Sequence, residues 1–470
     1  MMATLYRAGI RPRLRNQETM LLALMGVALS AGWVSLASQQ AGRMTIGDPA
    51  IPVIYVGILF AIHLAFVLTG RRMDQVLLPV TGMLGSLSLL LMARLPQGLA
   101  GLSLGGLDLG LAPLQLLWLS LALAVLAILA IAVRNDSWLR EYKYTWAAVG
   151  IGLLLLVFVL PPTGAERIDA PRLSLRIGPI TGQPSELLKV ILVVFLAGYL
   201  AENRTLLART STRLGPVSLP PVPYLLPMLA MWGVALAVVI VQRDLGAALL
   251  FFTVFLTLLY AATRRFAYVV LGMAMFLAGA AVLYQLFPLV RIRVDVWLDP
   301  WSDPLDTGFQ IIHALYAFGR GGILGTGMGA GLPAVGDTPG DLPAIHTDFV
   351  YAALGEELGM LGALAIVALY AIIAERGLRI AARAADDFRA LLATGLTLVI
   401  VIQAALIIGG NLKLVPLTGI TLPFISYGGS SLLANAIVIG LLLALSDRGV
   451  EPPPPPSGPR RFHLPLRSTA

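Results

Sequence analysis

The 470-residue chain contains no cysteine, and only 12% of its residues are charged. Without cysteine, the chain has no disulfides, thiol nucleophiles or cysteine-ligated metals. A soluble domain usually carries about 25% charged residues, so a soluble protein of this composition would expose apolar surface everywhere. The four histidines (His63, His313, His346 and His463) are too scattered to predict a zinc site.

Long apolar runs take the place of the missing charge, and 58% of the residues are hydrophobic. A membrane-spanning helix needs about 20 largely apolar residues, and the runs are continuous rather than alternating, which does not fit barrel strands. We therefore predict an all-α polytopic membrane protein with about twelve transmembrane helices. The predicted spans are 20–38, 51–69, 76–93, 114–134, 144–161, 184–201, 223–241, 244–262, 267–286, 348–374, 390–410 and 428–446.

The basic residues indicate how the helices are oriented. The formal net charge is +8, and alternate connections carry most of the Lys and Arg, which is the positive-inside pattern. Both termini are therefore predicted to be cytoplasmic, and the basic charge predicts topology rather than a nucleic-acid partner. Residues 1–38 could also be a signal peptide, but their apolar run is longer than a usual signal core, so we interpret it as the first span.

The connections divide the chain into four parts. We predict a cytoplasmic N-terminus at 1–19, two N-terminal transmembrane helices within 20–75, and a transmembrane core at 76–446. The core includes a large outer loop at 287–347 that is rich in Gly and Pro but has enough apolar residues to fold, with a short helix at 309–318. The Pro- and Arg-rich residues 447–470 predict a disordered cytoplasmic tail.

Several polar residues fall near the predicted outer ends of the spans. Ionisable residues within spans are functional candidates by default, yet Lys189 and Glu186 could simply pair across one helical turn. Asp244 could stabilise a helix start. Thr347 could cap a helix that has Asp348 in its first turn. Against capping alone, low dielectric at the membrane edge raises the pKa of a carboxylate, as a general base requires.

Two further features, a pair of glutamates within a span and an irregular segment at the membrane edge, could be either structural or functional. Glu356 and Glu357 lie two to three turns into their span and need partners, either as ties between helices or as part of a site. The segment 416–431 combines two prolines with glycines and hydroxyls, and irregular backbone at the membrane edge must be buried or line a cavity. No Walker motif occurs, and the Gly-rich 319–331 has the wrong spacing for a dinucleotide fingerprint.

Seven short motifs occur in an order that resembles the SEDS (RodA/FtsW-like) family of bacterial cell-wall proteins, and the resemblance covers about 76–446. The motifs are Gln183-Pro184-Ser185-Glu186 with Lys189, Asp244-Leu245-Gly246, Trp297-Leu298-Asp299-Pro300, Gly321-Gly322 with Gly325 and Gly327, His346-Thr347-Asp348-Phe349, Glu356-Glu357-Leu358-Gly359, and Ile425-Ser426-Tyr427-Gly428-Gly429-Ser430-Ser431. The family's ten-helix core would correspond to the third to twelfth spans, with two extra helices before it.

The resemblance implies a peptidoglycan glycosyltransferase that polymerises lipid II at the outer face of the bacterial cytoplasmic membrane, in elongation or division. It implies that Asp348 is the catalytic general base toward the 4-hydroxyl of the acceptor GlcNAc. The implied substrate-binding residues are Lys189, Arg167, Glu186, Arg243, Asp244, His346, Thr347, Ser426, Tyr427 and Ser430. A divalent cation, Mg²⁺ or Mn²⁺, is left open as a cofactor, and a class B penicillin-binding protein and membrane lipids are the implied partners.

Two other functions are weighed against this one. A lipid II flippase or transporter would place its polar site near the bilayer midplane, often between inverted repeats, whereas the polar signals here lie near the outer face. The chain could also be a scaffold for a partner synthase. The sequence departs from the family pattern at Glu166, Pro171, Arg243 and Asp306. The first two lie near Arg167 in the sequence and leave its role open, and none of the four departures affects Asp348.

Overall fold

The computed structural model describes residues 14–95, 102–104, 107–159, 175–177, 180–209, 212–214, 217–219, 233, 244–331 and 344–447. Helices dominate these residues. They are α1 Asn16–Ala41, α2 Ala50–Thr69, α3 Leu77–Arg94, α4 Leu111–Ala132, α5 Ser137–Glu141, α6 Lys143–Val159, α7 Pro184–Arg209, α8 Leu245–Thr263, α9 Phe266–Leu286, α10 Pro288–Leu298, α11 Phe309–Gly321, α12 Val350–Ala382, α13 Asp387–Asn411 and α14 Gly429–Leu445.

Three short antiparallel hairpins accompany the helices. They pair β1 Leu102–Leu104 with β2 Leu107–Leu109, β3 Leu175–Ile177 with β4 Ile180–Gly182, and β5 Thr212–Leu214 with β6 Val217–Leu219. Each lies in a connection, so the hairpins add to the predicted all-helical membrane domain without changing its class.

The described helices confirm a multi-pass helical membrane protein. Nine of them are long and apolar enough to span a bilayer. The shorter helices α6 and α14 coincide with two more predicted spans, 144–161 and 428–446. The predicted span 223–241 lies outside the described residues, apart from residue 233, so the total of twelve remains a prediction.

The two N-terminal helices pack onto the core through α3. Leu22, Met25 and Leu29 of α1 are buried, and the hydroxyl of Tyr55 in α2 donates to the Gly82 carbonyl at 3.0 Å. Gly82 and Gly85 interrupt the apolar run of the predicted span 76–93, and both lie inside α3. Their lack of a side chain leaves space for Met25 and Tyr55, respectively, so these glycines permit close helix packing.

Segments that the charge pattern assigns to the same side of the membrane meet at one end of the bundle. Arg71 pairs with Asp447 at 3.2 Å, and Arg389 pairs with Asp136 at 2.7 Å. Further ion pairs at this end join Lys143 to Glu202, Arg204 to Asp387 and Arg376 to Asp74. This agreement supports the predicted alternation of the helices but does not show which end faces the cytoplasm.

The predicted outer loop is folded where it is described. It contains α10, a 3₁₀ turn at Pro300–Ser302, and α11, which includes the short helix predicted at 309–318. Its Gly-rich segment joins the backbone of α12, because the Gly327 N–H donates to the Glu357 carbonyl at 3.0 Å and the Met360 N–H donates to the Gly322 carbonyl at 2.9 Å. At this junction α12 is interrupted by Gly359, whose φ is 67°.

The two adjacent glutamates of α12 tie neighbouring elements together. Glu356 accepts from Arg320 of α11 at 2.9 Å, and Glu357 pairs with Arg94 at the end of α3. Since both carboxylates are buried against an arginine, the structure favours the interpretation of Glu356 and Glu357 as ties between helices.

Candidate active site

Asp348 lies in a turn that leads into α12. The Asp348 N–H donates to the Ala344 carbonyl at 2.9 Å. The amide nitrogen of Asn411, the last residue of α13, donates to the Asp348 carbonyl at 2.9 Å. The Asn411 side-chain oxygen also accepts from the Ala352 N–H at 3.2 Å. One buried asparagine therefore fixes the backbone of Asp348 and the first turn of the following helix.

The structure does not support the alternative that Thr347 caps the helix and places Asp348 in its first turn. The helix begins at Val350 with Phe349 as the residue before it, and it has no side-chain cap. Thr347 instead donates its hydroxyl to the Ala344 carbonyl at 3.3 Å. The three turn residues 346–348 therefore precede the helix, and capping does not account for the carboxylate of Asp348.

The segment before α14 is joined to this turn. Ser426 donates its hydroxyl to the Thr347 carbonyl at 2.5 Å, and the Tyr427 N–H donates to the His346 carbonyl at 2.8 Å. The rings of His346 and Tyr427 lie with their centroids 6.0 Å apart. Two motifs almost eighty residues apart in sequence are thus brought together at one end of the bundle.

Asp244 and Glu186 are close enough for their charges to interact. Asp244 caps α8, since its carboxylate accepts from the Ala247 N–H at 3.0 Å, which matches the interpretation as a helix start. Burial raises the pKa of Asp244, and the negative charge of nearby Glu186 raises it further. The predicted acidic residues at the outer helix ends therefore influence one another electrostatically.

Arg293 is the basic residue that the sequence did not single out. It lies on α10, is half-buried, and donates to the Thr418 carbonyl at 3.3 Å. Burial lowers the pKa of Arg293, whereas the charges of Asp244 and Asp348 raise it. The charge of Arg293 is therefore felt by two carboxylates that come from distant parts of the chain.

The environment of Asp348 suits a base. Burial raises the pKa of the Asp348 carboxyl to about 6, while the Thr347 hydrogen bond and the charge of Arg293 oppose the rise. A pKa just below neutrality leaves the carboxylate ionised at pH 7 yet basic enough to accept a proton. Burial also lowers the pKa of the neighbouring His346, which favours its neutral form.

Lys189 is fully engaged within the protein. Its ammonium group donates to Glu186 at 2.6 Å, to Gln403 of α13 at 2.8 Å and to Asn435 of α14 at 2.9 Å. An ammonium has three donors, and the Lys189 side chain is 2% exposed. The structure therefore shows the predicted pairing with Glu186, extended by two amide partners that sequence spacing does not indicate.

The remaining predicted residues are placed as follows. Ser430 accepts from the Gln183 N–H at 3.1 Å, which joins the start of α14 to the start of α7. Arg167 and Arg243 lie outside the described residues. Among the described side chains no group of three or more His, Asp or Glu is arranged to hold a metal ion. The residues present therefore do not define a site for the Mg²⁺ or Mn²⁺ that the resemblance left open.

A family model and several named relatives match this chain. A family model described as "Cell cycle protein" and named for FtsW, RodA and SpoVE matches residues 75–449. The chain is 37% identical over 441 residues to a peptidoglycan glycosyltransferase RodA of Mycobacterium tuberculosis, covering 94% of this chain and 92% of the relative. It is 37% identical to a probable peptidoglycan glycosyltransferase FtsW of Geobacter sulfurreducens, covering 68% of this chain and 82% of the relative.

The mycobacterial match also bears on the two N-terminal helices. The family model begins at residue 75, after α1 and α2. An alignment over 94% of the chain is nevertheless too long to leave both helices out. The mycobacterial RodA therefore shares sequence with at least part of this N-terminal pair.

Solved structures share the fold. One, from a study of a peptidoglycan synthase complex that coordinates polymerisation and crosslinking, has a TM-score of 0.62 at 24% identity and covers 80% of this chain and 98% of that chain. The rod shape determining protein RodA of Thermus thermophilus has a TM-score of 0.53 at 22% identity, with 80% and 97% coverage. The motifs, the family match and the fold agree, and the chain belongs to the FtsW/RodA/SpoVE family, which is the SEDS family.

Proposed function

We propose that this chain is a peptidoglycan glycosyltransferase that polymerises lipid II, with Asp348 as the general base. The observation that carries the proposal is the environment of Asp348, a carboxylate with a pKa of about 6 in a turn held by α13 and by the segment before α14. Family membership supplies the reaction, because relatives that match most of this chain are named peptidoglycan glycosyltransferases.

The chemistry requires one proton transfer and one substitution. The Asp348 carboxylate accepts the proton of the acceptor GlcNAc 4-hydroxyl, and the oxygen forms a bond to C1 of the donor sugar. The bond between C1 and the pyrophosphate oxygen breaks, and the lipid pyrophosphate leaves with the electron pair. A cation close to the leaving group stabilises the charge that develops on it. Among the described residues, we assign this role to Arg293, because its charge interacts with that of Asp348.

The flippase alternative is less well supported. A flippase would need polar residues deep in the spans to line a transport path, and Lys189 and Glu356 are the candidates by depth. Lys189 uses its three donors on Glu186, Gln403 and Asn435, and Glu356 pairs with Arg320. Both deep polar residues thus have structural partners, whereas Asp348 lies at a helix end where a lipid-linked sugar can approach from the bilayer.

An assay with two readouts separates the enzyme from the flippase. The purified full-length chain is reconstituted in proteoliposomes with a class B penicillin-binding protein and labelled lipid II, and both glycan strands and lipid II translocation are measured. We expect strands from the wild type and none from Asp348→Asn. Translocation without strands would favour the flippase instead.

A pH profile tests the role of Asp348 and of Arg293. Above pH 6 the carboxylate is ionised and can accept a proton; below pH 6 it is protonated, so polymerisation should fall, to about one tenth at pH 5. Because the charge of Arg293 lowers the pKa of Asp348, Arg293→Gln should move this acid limb to higher pH.

Arg291→Gln provides the matched control for that shift. Arg291 is an exposed arginine on the same helix, and it donates to the Gln285 carbonyl at 3.2 Å. Its replacement should leave the acid limb in place. An acid limb that is the same in wild type and Arg293→Gln would rule out the electrostatic coupling of Arg293 to the base.

We propose that both termini are cytoplasmic and that the Asp348 turn faces outward. Because the chain has no cysteine, a single Ala330→Cys substitution in the exposed part of the outer loop gives an unambiguous label. A membrane-impermeant thiol reagent added to intact spheroplasts should label it. Labelling only after the cytoplasmic side is opened would reverse the orientation and remove the outer-face site.

A further inference from the structure

A cavity of about 510 Å³ opens at the end of the bundle opposite Asp348. Asp348 precedes the first turn of α12, whereas the cavity is lined by Arg376 and Arg383 near the last turn of that helix. The rest of its wall comes from the start of α1, the connection between α2 and α3, the segment between α12 and the start of α13, and the end of α14. This volume is within the range of about 300–1,000 Å³ that small-molecule sites occupy, and nothing in the proposed reaction uses it.

The wall of the cavity is strongly basic. Seven of its lining residues are arginines and two, Asp74 and Asp447, are acidic. Five of the arginines are held by carboxylates: Arg15 by Glu18, Arg71 by Asp447, Arg376 and Arg379 by Glu375, and Arg389 by Asp136. These pairs fix the shape of the wall and neutralise much of its charge.

The two acidic residues of the wall are themselves occupied. Asp74 accepts from the Val76 N–H at 2.8 Å and from the Leu77 N–H at 3.1 Å, and it pairs with Arg376 at 3.6 Å. Asp447 pairs with Arg71 at 3.2 Å and accepts from the Arg72 N–H at 3.1 Å. Neither carboxylate is therefore left to neutralise the remaining arginines.

Arg72 and Arg383 are those remaining arginines. Both are exposed at the cavity, and within the described part of the chain neither side chain forms an ion pair with a carboxylate. They come from different elements, the connection between α2 and α3 and the end of α12. Two open guanidinium groups thus face one cavity whose other five arginines are already fixed.

We propose that this cavity binds a phosphate-bearing anion through Arg72 and Arg383. A guanidinium group presents paired N–H donors that match two oxygens of a phosphate group. The ligand is either the headgroup of an anionic phospholipid or a soluble phosphate compound. A lipid headgroup can reach the cavity because the cavity lies at the ends of the membrane spans. The charge pattern assigns this end of the bundle to the cytoplasmic side, where anionic lipids concentrate.

Thermal unfolding of the full-length chain in a neutral detergent measures this binding, because a ligand that binds only the folded state raises the unfolding midpoint. The probes are short-chain phosphatidylglycerol, short-chain phosphatidylcholine, and inorganic pyrophosphate at constant ionic strength. We expect protection by an anionic probe and none by phosphatidylcholine. The Arg72→Gln/Arg383→Gln variant should bind that probe at least about tenfold more weakly. Both side chains are exposed, so this variant should fold.

Arg140→Gln/Arg264→Gln is the matched control, since these exposed arginines are assigned to the same side but do not line the cavity. Its affinity should match that of the wild type. Protection by phosphatidylglycerol alone identifies a lipid headgroup, and protection by pyrophosphate identifies a soluble anion. The proposal is overturned if neither anion protects the wild type, or if Arg72→Gln/Arg383→Gln responds like the control. This test is independent of polymerisation activity.

Discussion

Asp348→Asn should reduce lipid II polymerisation by at least about 100-fold, the lower end of what a positioned general base contributes. The amide has nearly the same shape as the carboxylate but cannot accept the proton of the acceptor hydroxyl. The backbone contact from Asn411 to the Asp348 carbonyl does not involve the carboxylate, so the turn should be retained. Polymerisation is measured from purified lipid II at pH 7.5, where the wild-type carboxylate is ionised.

Stability distinguishes loss of chemistry from loss of fold. Burial raises the pKa of Asp348 to about 6, which means that the folded protein disfavours the charged form. A neutral amide should therefore leave the thermal unfolding midpoint unchanged or raise it. Asp306→Asn is the matched control, since Asp306 is an exposed carboxylate of the loop that precedes Asp348, and it should keep full activity. An Asp348→Asn variant with half the wild-type rate would end the assignment of Asp348 as the base.

Lys189→Met should destabilise the protein by about 3–5 kcal/mol, which is typical when one partner of a buried ion pair is removed. The substitution leaves Glu186 charged and without its cation, and it removes the donor that Gln403 and Asn435 share. The yield of folded protein and its unfolding midpoint in detergent measure the effect.

The double variant Lys189→Met/Glu186→Gln separates a structural role from substrate binding. With both charges removed, no uncompensated charge stays buried, so most of the stability should return. If Lys189 ties the helices together, polymerisation returns as well. A double variant that folds but stays inactive would instead support contact between Lys189 and the pyrophosphate of the substrate. Lys143→Met is a suitable control, because its partner Glu202 is 37% exposed and can be hydrated when the lysine is lost.

The sequence predicted the helices well, because each had to supply enough apolar length to cross the bilayer. The run predicted at 244–262 corresponds to α8 and the run at 390–410 lies within α13. It also placed the segments that carry Asp348 and Ser426 at the same end of the bundle, because alternating spans bring alternate ends to one face. Whether two motifs lie on the same side depends only on how many membrane spans separate them in the sequence.

The sequence could not predict which side chains of neighbouring helices contact each other inside the bundle. Gln403 and Asn435 lie 214 and 246 residues from Lys189, and their contact depends on the rotation of three helices about their axes. Arg293 was not singled out because nothing in its spacing shows that α10 brings its charge within electrostatic reach of Asp348. The helix start at Val350 was misplaced by two residues, because an Asp after a Thr follows the usual pattern of a helix N-terminus without being one.

The most direct test of the central claim is polymerisation of purified lipid II by the purified full-length chain with a class B penicillin-binding protein in detergent. In detergent no membrane separates two compartments, so transport cannot contribute to the product. The account predicts glycan strands from the wild type, with an acid limb near pH 6, and no strands from folded Asp348→Asn. The contradicting results are no strands from folded wild type, or equal strands from wild type and Asp348→Asn.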